Sequence, residues 1–419
     1  MNDLEDRLRR TLRTAAEQAP YSPVDLTRRV AARRRDRRAQ ILTVAAAAIA
    51  VVAAVAAPVV FLDPAPVRPA VMDATPSSSP DLSGVEFPPS LQEVWPKAIH
   101  EIPTKLPNGR KFRPLFFLDA GTILVSTESS FEKTDMLASY DLATGEALDL
   151  VRVITPANAE LFASEFTAGS GVIAWTTSRR AGEQLIAEIW TAPVTGGEAS
   201  VLGSINDVKE AEGGPVRGLS VAGDAVYWST GGTGGVWRLP LTGGSPPAAV
   251  PGTEGYHMFD YPWVGKPDEY GTTTYTELLN VQTGETRTAV VKEDESSWTC
   301  GLTRCVGDLP GESDGARPPR LAVTRLRDGS EQRTFPPLNA GGHAVITMDR
   351  FTFLTIDDPA AGTVGMVLTD LVSGEMADLG LRPNADGSFS YHDFARPSSD
   401  LYAYELKGKL IVVDLRAIE

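Results

Sequence analysis

Residues 139–151 read SYDLATGEALDLV. Two runs of alternating apolar residues flank a polar Asp-x-x-Thr-Gly-Glu turn, which is the signature of a β-hairpin. Glycine suits the turn because the tight reversal demands positive φ. The unit recurs as TAPVTGGEASVLG (191–203), RLPLTGGSPPAAV (238–250), LNVQTGETRTAVV (279–291), TRLRDGSEQRTF (324–335) and TDLVSGEMADLG (369–380). The turn glycines Gly145, Gly197, Gly244, Gly284, Gly329 and Gly374 are spaced by 52, 47, 40, 45 and 45 residues. Self-similarity at this period predicts an all-β fold, a propeller of four-stranded blades.

Between the turns stand β-branched and aromatic segments, GVIAWTTS (171–178), DAVYWSTG (224–231) and FTFLTID (351–357), which are expected to form inner strands of the blades. The last segment, LYAYELKGKLIVVDL (401–415), supplies two strands but no third after them, while WPKAIHEIP (95–103) has no hairpin partner. Ring closure accounts for both: residues near 98–103 provide the outer strand of the last blade. Six turn glycines and this shared blade make about seven blades, although irregular spacing over 256–335 leaves six or eight open.

The hairpin resembles those of TolB-like and quinoprotein-like bacterial propellers. Asp141, Thr144, Gly145 and Glu146 match the pattern, as do Asn280, Thr283, Gly284 and Glu285, with Ser373 substituting in the sixth turn. Quinoprotein repeats carry a Trp three positions after the Glu. Here Asp149 and Thr288 stand there, which argues against a quinone, and no other cofactor is expected.

Upstream, residues 41–62 read ILTVAAAAIAVVAAVAAPVVFL, 22 residues without a charge. At about 1.5 Å per residue a helix of that length spans a bilayer core about 30 Å thick. Seven arginines precede it (Arg28, Arg29, Arg33, Arg34, Arg35, Arg37 and Arg38), and Asp63 follows. The positive-inside rule then places residues 1–40 in the cytoplasm and the large domain outside the cell membrane, as a single-pass protein. A cleaved signal peptide ending near AAVAA is the other reading, opposed by Pro58 and by a 40-residue leader before the apolar run.

In the tail, Leu4, Leu8 and Leu12 form a narrow stripe at helical spacing, and Ser22, Pro23 and Asp25 suit the start of a second helix. The stripe could dock a cytoplasmic protein, or the tail could lie on anionic headgroups. The layout resembles anchored actinobacterial proteins, some of them anti-sigma regulators. The tail holds no His or Cys, so the resemblance does not extend to a zinc site. Residues 63–90, DPAPVRPAVMDATPSSSPDLSGVEFPPS, read as a Pro/Ser-rich spacer, and the propeller is expected over 91–419.

Charge is divided sharply. Residues 1–40 carry +5 and the remainder −20, making the −15 of the whole chain. An acidic main domain argues against a nucleic-acid footprint there. The only cysteines, Cys300 and Cys305, have four residues between them and no nearby His, which favours a local disulfide over zinc. The four histidines (His100, His257, His343, His392) are scattered and no metal motif is present. The GLSVA run at 218–222 lacks the second glycine of a nucleophile elbow. Asp357, Asp358, Asp386 and Asp393 could line a calcium or sugar site, though turns explain them as well. The densest aromatic patch, Tyr256, His257, Asp260, Tyr261 and Trp263, is the candidate ligand face, with interblade packing as the competing role.

The expected function is non-catalytic: a membrane-tethered propeller that binds a protein, a peptide or an envelope glycan. An anti-sigma-like regulator acting through the tail is one alternative. A propeller enzyme of glycosidase or lactonase type, with acids at the central channel, is another.

Overall fold

The computed structural model describes residues 82, 84–130, 133–205, 216–231, 234–267, 275–290, 296–310, 320–335, 338–340, 345–358, 362–384, 388–389 and 396–419. The tail with Leu4, Leu8 and Leu12, the arginines Arg33, Arg34, Arg35, Arg37 and Arg38, the 41–62 stretch and the linker up to 81 lie outside them. Among the described residues no helix is long and apolar enough to cross a membrane.

The repeated turn is built by its own side chains. Asp141 Oδ1 accepts from the backbone N–H groups of Ala143 (2.9 Å) and Thr144 (2.7 Å). Thr144 Oγ1 accepts from the Glu146 N–H at 3.2 Å, and the Gly145 N–H donates to the Asp141 carbonyl at 2.9 Å. Gly145 sits at φ +73°, where a Cβ would be strained. Asn280 and Thr283 repeat the arrangement, as do Asp370 and Ser373. The motif therefore satisfies the backbone groups that a tight turn strips of partners.

Seven antiparallel sheets result. Blade 1 comprises Phe112–Phe117, Thr122–Ser130, Lys133–Asp141 and Ala147–Arg152. Blade 2 comprises Ala159–Gly169, Val172–Ala181, Gln184–Pro193 and Ser200–Ile205. Blade 3 holds Arg217–Ala222, Ala225–Ser229, Val236–Pro240 and Ala248–Ala249. Blade 4 holds His257–Asp260, Trp263–Lys266, Glu277–Asn280 and Thr286–Thr288. Blade 5 holds Ser296–Cys300, Arg304–Pro310, Arg320–Leu326 and Arg333–Phe335. Blade 6 holds Leu338–Asn339, Phe351–Asp358, Gly362–Asp370 and Met376–Asp378.

Blade 7 joins the two ends of the domain. Leu401–Leu406 pairs with Lys409–Asp414, and Ile99–Pro103 adds outside them in register Ile99↔Val413 to Pro103↔Lys409. Ring closure thus uses the strand the sequence left unpartnered. Blade 7 shows three strands among the described residues rather than four. The aromatic segments expected as inner strands are the second strands of blades 2, 3 and 6. They lie between two neighbours and bury both faces, which is why they read as the most apolar.

The core is divided among the blade interfaces. Ile123, Val125, Leu401 and Val412 fill the seam between blades 7 and 1, and Leu124, Trp175 and Trp190 that between blades 1 and 2. Trp228 and Leu239 pack with Ala174 and Ile189 between blades 2 and 3. Arginines add polar ties across the seams. Buried Arg327 donates to the carbonyls of Gly301 (2.8 Å), Thr276 (3.2 Å) and Tyr275 (2.9 Å), tying blade 5 to blade 4. Burial pulls its pKa down to about 10, which leaves it charged at neutral pH. Arg416 lies over the Phe117 ring at 3.6 Å and donates to the Asp119 carbonyl at 3.1 Å, locking blade 7 onto blade 1.

The spacer ends earlier than the composition suggested. Leu82, Val85 and Phe87 pack on the cluster between blades 5 and 6, and Arg382 covers Phe87 at 3.6 Å. The Asp378 N–H donates to the Pro89 carbonyl at 2.8 Å, and Ser90 bridges Asp378 in parallel, covering the outer edge of blade 6. Proline content hid the boundary because three apolar side chains among five Ser, Gly, Glu and Pro positions (82–89) show no periodicity. Cys300 and Cys305 form a disulfide between directly paired residues of the first two strands of blade 5.

Candidate functional site

The first strand of each blade is the edge strand of its sheet and faces the central channel. In blades 1 to 5 this strand is broken by β-bulges or register shifts, at Pro114/Phe116 in blade 1, at Ala159/Leu161, Leu161/Ser164 and Ser164/Thr167 in blade 2, and at Arg217/Ser220, Met258/Asp260 and Ser296/Thr299 in blades 3 to 5. Bulges re-aim side chains and interrupt the ladder. In blade 2, where the register shifts three times, Glu165 sits at φ +55°.

Glu165 is held there by its neighbours. Its Oε2 accepts from the Gly218 N–H of blade 3 at 3.1 Å. Arg396, in the segment leading into blade 7, reaches the same oxygen at 3.4 Å and donates to the Leu219 carbonyl at 2.6 Å. Asp260 of blade 4 lies close enough to Ser398 and Arg396 for both to act on its carboxyl. Burial pushes the Asp260 carboxyl up, against the lowering effects of Ser398 and Arg396. Burial likewise pulls the Arg396 guanidinium down, opposed by Glu165 and Asp260. One short segment thus ties the inner strands of blades 2 and 3 to the entry of blade 7.

Beside it opens a cavity of about 900 Å³. Its walls are the inner strands of blades 1 and 2, with Arg396, Ser398, Ser399 and Asp400 closing one side. Leu115, Phe116, Phe117, Phe162 and Phe166 contribute apolar surface, and Ser126, Thr134 and Ser164 contribute hydroxyls. Every carboxylate in the lining has an arginine partner: Glu128 with Arg113 (3.2 Å), Glu160 with Arg180 (2.9 Å), Glu165 with Arg396 (3.4 Å) and Asp400 with Arg416 (3.9 Å). Burial raises the Asp400 pKa, opposed by Arg416 and by the Phe117 N–H.

The aromatic patch singled out in the sequence does not form one face. His257 and Trp263 are buried in the packing of blade 4, and Arg287 lies over Trp263 at 4.5 Å. The Tyr256 hydroxyl bonds Glu277, which raises the phenol pKa to about 12. Tyr261 stacks on Tyr227 at 3.8 Å beside a groove between blades 3 and 4. Asp260 alone of the five reaches the Arg396 network. The five belong to one tight hairpin, whose alternation sends neighbours to opposite faces. Asp357 is bonded by Asn339 and Thr363, while Asp386 and Asp393 lie outside the described residues. Among the described residues no group of three metal-ligating side chains is present.

Sequence reasoning passed over Glu165, Arg396 and the four ion pairs. The available signal was AELFASEFTAG (159–169), an apolar strand whose period 2 is broken by acids at 160 and 165. A charge in an otherwise apolar inner strand needs a partner, and that partner lies 231 residues away.

No protein-family profile matches the chain, and no curated protein is similar to it in sequence. Solved structures share its architecture distantly. One, from a study of two prolyl endopeptidases, has 10% identity over 63% of this chain and 41% of that chain, with a TM-score of 0.41. The Pyrococcus horikoshii acylaminoacyl peptidase has 13% identity over 64% and 44%, with a TM-score of 0.39. TolB from Acinetobacter baumannii has 15% identity over 55% and 61%, with a TM-score of 0.30. The chain spans less than half the length of either peptidase chain. The assignment of the propeller rests on the seven sheets themselves.

Proposed function

We propose that this chain is a membrane-tethered, extracytoplasmic propeller that binds a ligand in its channel-side cavity and releases it unchanged. The observation that carries the reading is the cavity between the inner strands of blades 1 and 2, each of whose lining carboxylates is engaged by an arginine. Its volume falls within the roughly 300–1,000 Å³ of small-ligand sites, and apolar walls with a few oriented polar groups are what such sites share. General acid–base or nucleophilic work asks for a carboxylate with freedom to change its protonation, and an ion-paired one is poorly suited to that. The tether is the 41–62 stretch with its arginine flank.

A second reading, an extracytoplasmic enzyme, draws on Asp260 and Asp400, whose pKa values burial raises toward the range of a proton donor. One experiment separates the two. The full-length chain in detergent micelles is offered pooled peptides and cell-envelope saccharides, and hydrogen exchange is followed at 113–117 and 160–168. Protection there with the ligand recovered intact supports the binding module. Protection with a converted ligand, seen by mass spectrometry, establishes the enzyme. Exchange unchanged at both segments refutes the placement of the site.

A further inference from the structure

From the same cavity we infer the class of its occupant, an uncharged, hydroxyl-rich molecule such as a short neutral oligosaccharide. The inference rests on the binding reading above and adds the chemistry of the ligand.

The first ground is charge. The chain beyond residue 40 carries −20, yet each of the four acids lining the cavity is ion-paired with an arginine, Arg416 serving Asp414 as well as Asp400. A charged ligand would have to break one of these pairs and leave its partner unmatched in a partly enclosed site. That exchanges one ion pair for another and returns little. A neutral ligand leaves all four intact.

The second ground is the donor and acceptor pattern. A guanidinium has five N–H donors and a carboxylate about four acceptor sites. Each pair consumes one or two of these and leaves others for further partners. A hydroxyl both donates and accepts, so it complements such a pair where a carbonyl or an ammonium uses only half of it. Ser126, Thr134 and Ser164 extend the same capacity along the walls.

The third ground separates a saccharide from an extended peptide. Peptide capture by strand addition needs a regular series of open N–H and C=O groups along a sheet edge. Both strand edges facing this cavity are interrupted by bulges, which defeat regular strand pairing. Meanwhile Phe162 lines the cavity and belongs to none of the apolar clusters found among the described residues. Its surface suits the apolar face of a sugar ring.

The test uses the full-length chain in micelles and six probes: maltotetraose, cellotetraose, the N-acetylglucosamine tetramer, tetragalacturonate, tetralysine and a neutral Gly/Ser tetrapeptide. Calorimetry at about 50 and about 500 mM NaCl separates neutral from charged ligands, because screening weakens only the latter. The expected result is binding by at least one neutral tetrasaccharide, with protection at 113–117 and 160–168 and less than about a twofold change with salt. Phe162→Ala weakens that binding by about tenfold, equivalent to about 1.4 kcal/mol. Phe162→Leu, which keeps most of the volume but no ring, shows the same loss in a folded chain. Glu128→Gln releases Arg113 from its ion pair and admits tetragalacturonate. If tetragalacturonate, tetralysine or the tetrapeptide is instead the tightest wild-type ligand at these segments, the inference is overturned while the binding reading stands. If no probe binds there but the envelope pool does, the inference falls in the same way. If neither binds, both fall.

Discussion

Replacing Ile102 by alanine tests whether the strand Ile99–Pro103 closes the ring. Ile102 is 3% exposed and packs in the cluster shared by blades 7 and 1, against Ile123, Val125 and Val412. The substitution removes three carbon atoms, about 2.4 kcal/mol at roughly 0.8 kcal/mol per buried methylene. A residual cavity adds to this, and measured Ile→Ala losses in cores run about 2–5 kcal/mol. We expect about 3 kcal/mol. Urea unfolding followed by tryptophan fluorescence reads it, because Trp175 and Trp190 sit at the adjacent seam of blade 1. Leu148, 65% exposed on the outer strand of blade 1, is the control, and Leu148→Ala is expected to cost less than about 0.5 kcal/mol. A loss at Ile102 no larger than the control's would refute closure by this strand. It would place residues 99–103 outside the cooperative unit.

Further expectations concern the clips, the turns and the tether. Arg327→Met removes the partner of three buried carbonyls and is expected to destabilise the fold by about 3 kcal/mol or more, read as a lower urea midpoint. Reducing the Cys300–Cys305 bridge, which closes a loop of separation 5, lowers stability by about 2 kcal/mol in the chain-entropy account, and a Cys300→Ser/Cys305→Ser chain reproduces the effect without reductant. Asp370 concerns acid stability. Burial pushes its carboxyl up, but hydrogen bonds from Arg350, Ser373 and Val372 outweigh this and hold it below the usual value. Its contribution is therefore fully present above the unfolded pKa of about 3.9 and is lost as pH falls through the lower folded value. Asp370→Asn should flatten that part of the acid-unfolding curve and leave its neutral-pH shape unchanged. For the tether, single cysteines introduced at Ala39 and Ala65 of a chain lacking Cys300 and Cys305 are labelled in intact cells with a membrane-impermeant maleimide. Labelling at 65 alone supports the topology, and labelling at 39 refutes it.

Much of the architecture was legible because it is local or periodic. The Asp-x-x-Thr-Gly-Glu hairpin is decided within six residues, whose side chains and glycine satisfy the turn unaided. Repetition of that turn every 40 to 52 residues pointed to about seven blades with six or eight left open, the structure shows seven, and the missing outer strand of the last blade pointed to residues 99–103. The disulfide was legible for the same reason, its two cysteines being five residues apart. Periodicity could not rank strands within a blade. A second strand, buried on both faces, looks more apolar than the innermost one, whose edge meets the channel. Composition also hid the packing of Leu82, Val85 and Phe87, because proline-rich context masks isolated apolar anchors.

The sequence by itself determined the repeat, the turns, the closing strand, the charge asymmetry and the apolar 41–62 stretch. Each depends on residues near one another in the chain or on their period. Only the tertiary structure decided the site. Arg396 meets Glu165 across 231 positions, and Glu160 and Glu165 are paired by arginines from different parts of the fold. Whether a carboxylate is a lone acid or half of an ion pair depends on which strands the ring brings to the channel. No spacing along the chain records that, because the partners are assembled by closure of the ring and not by local turns.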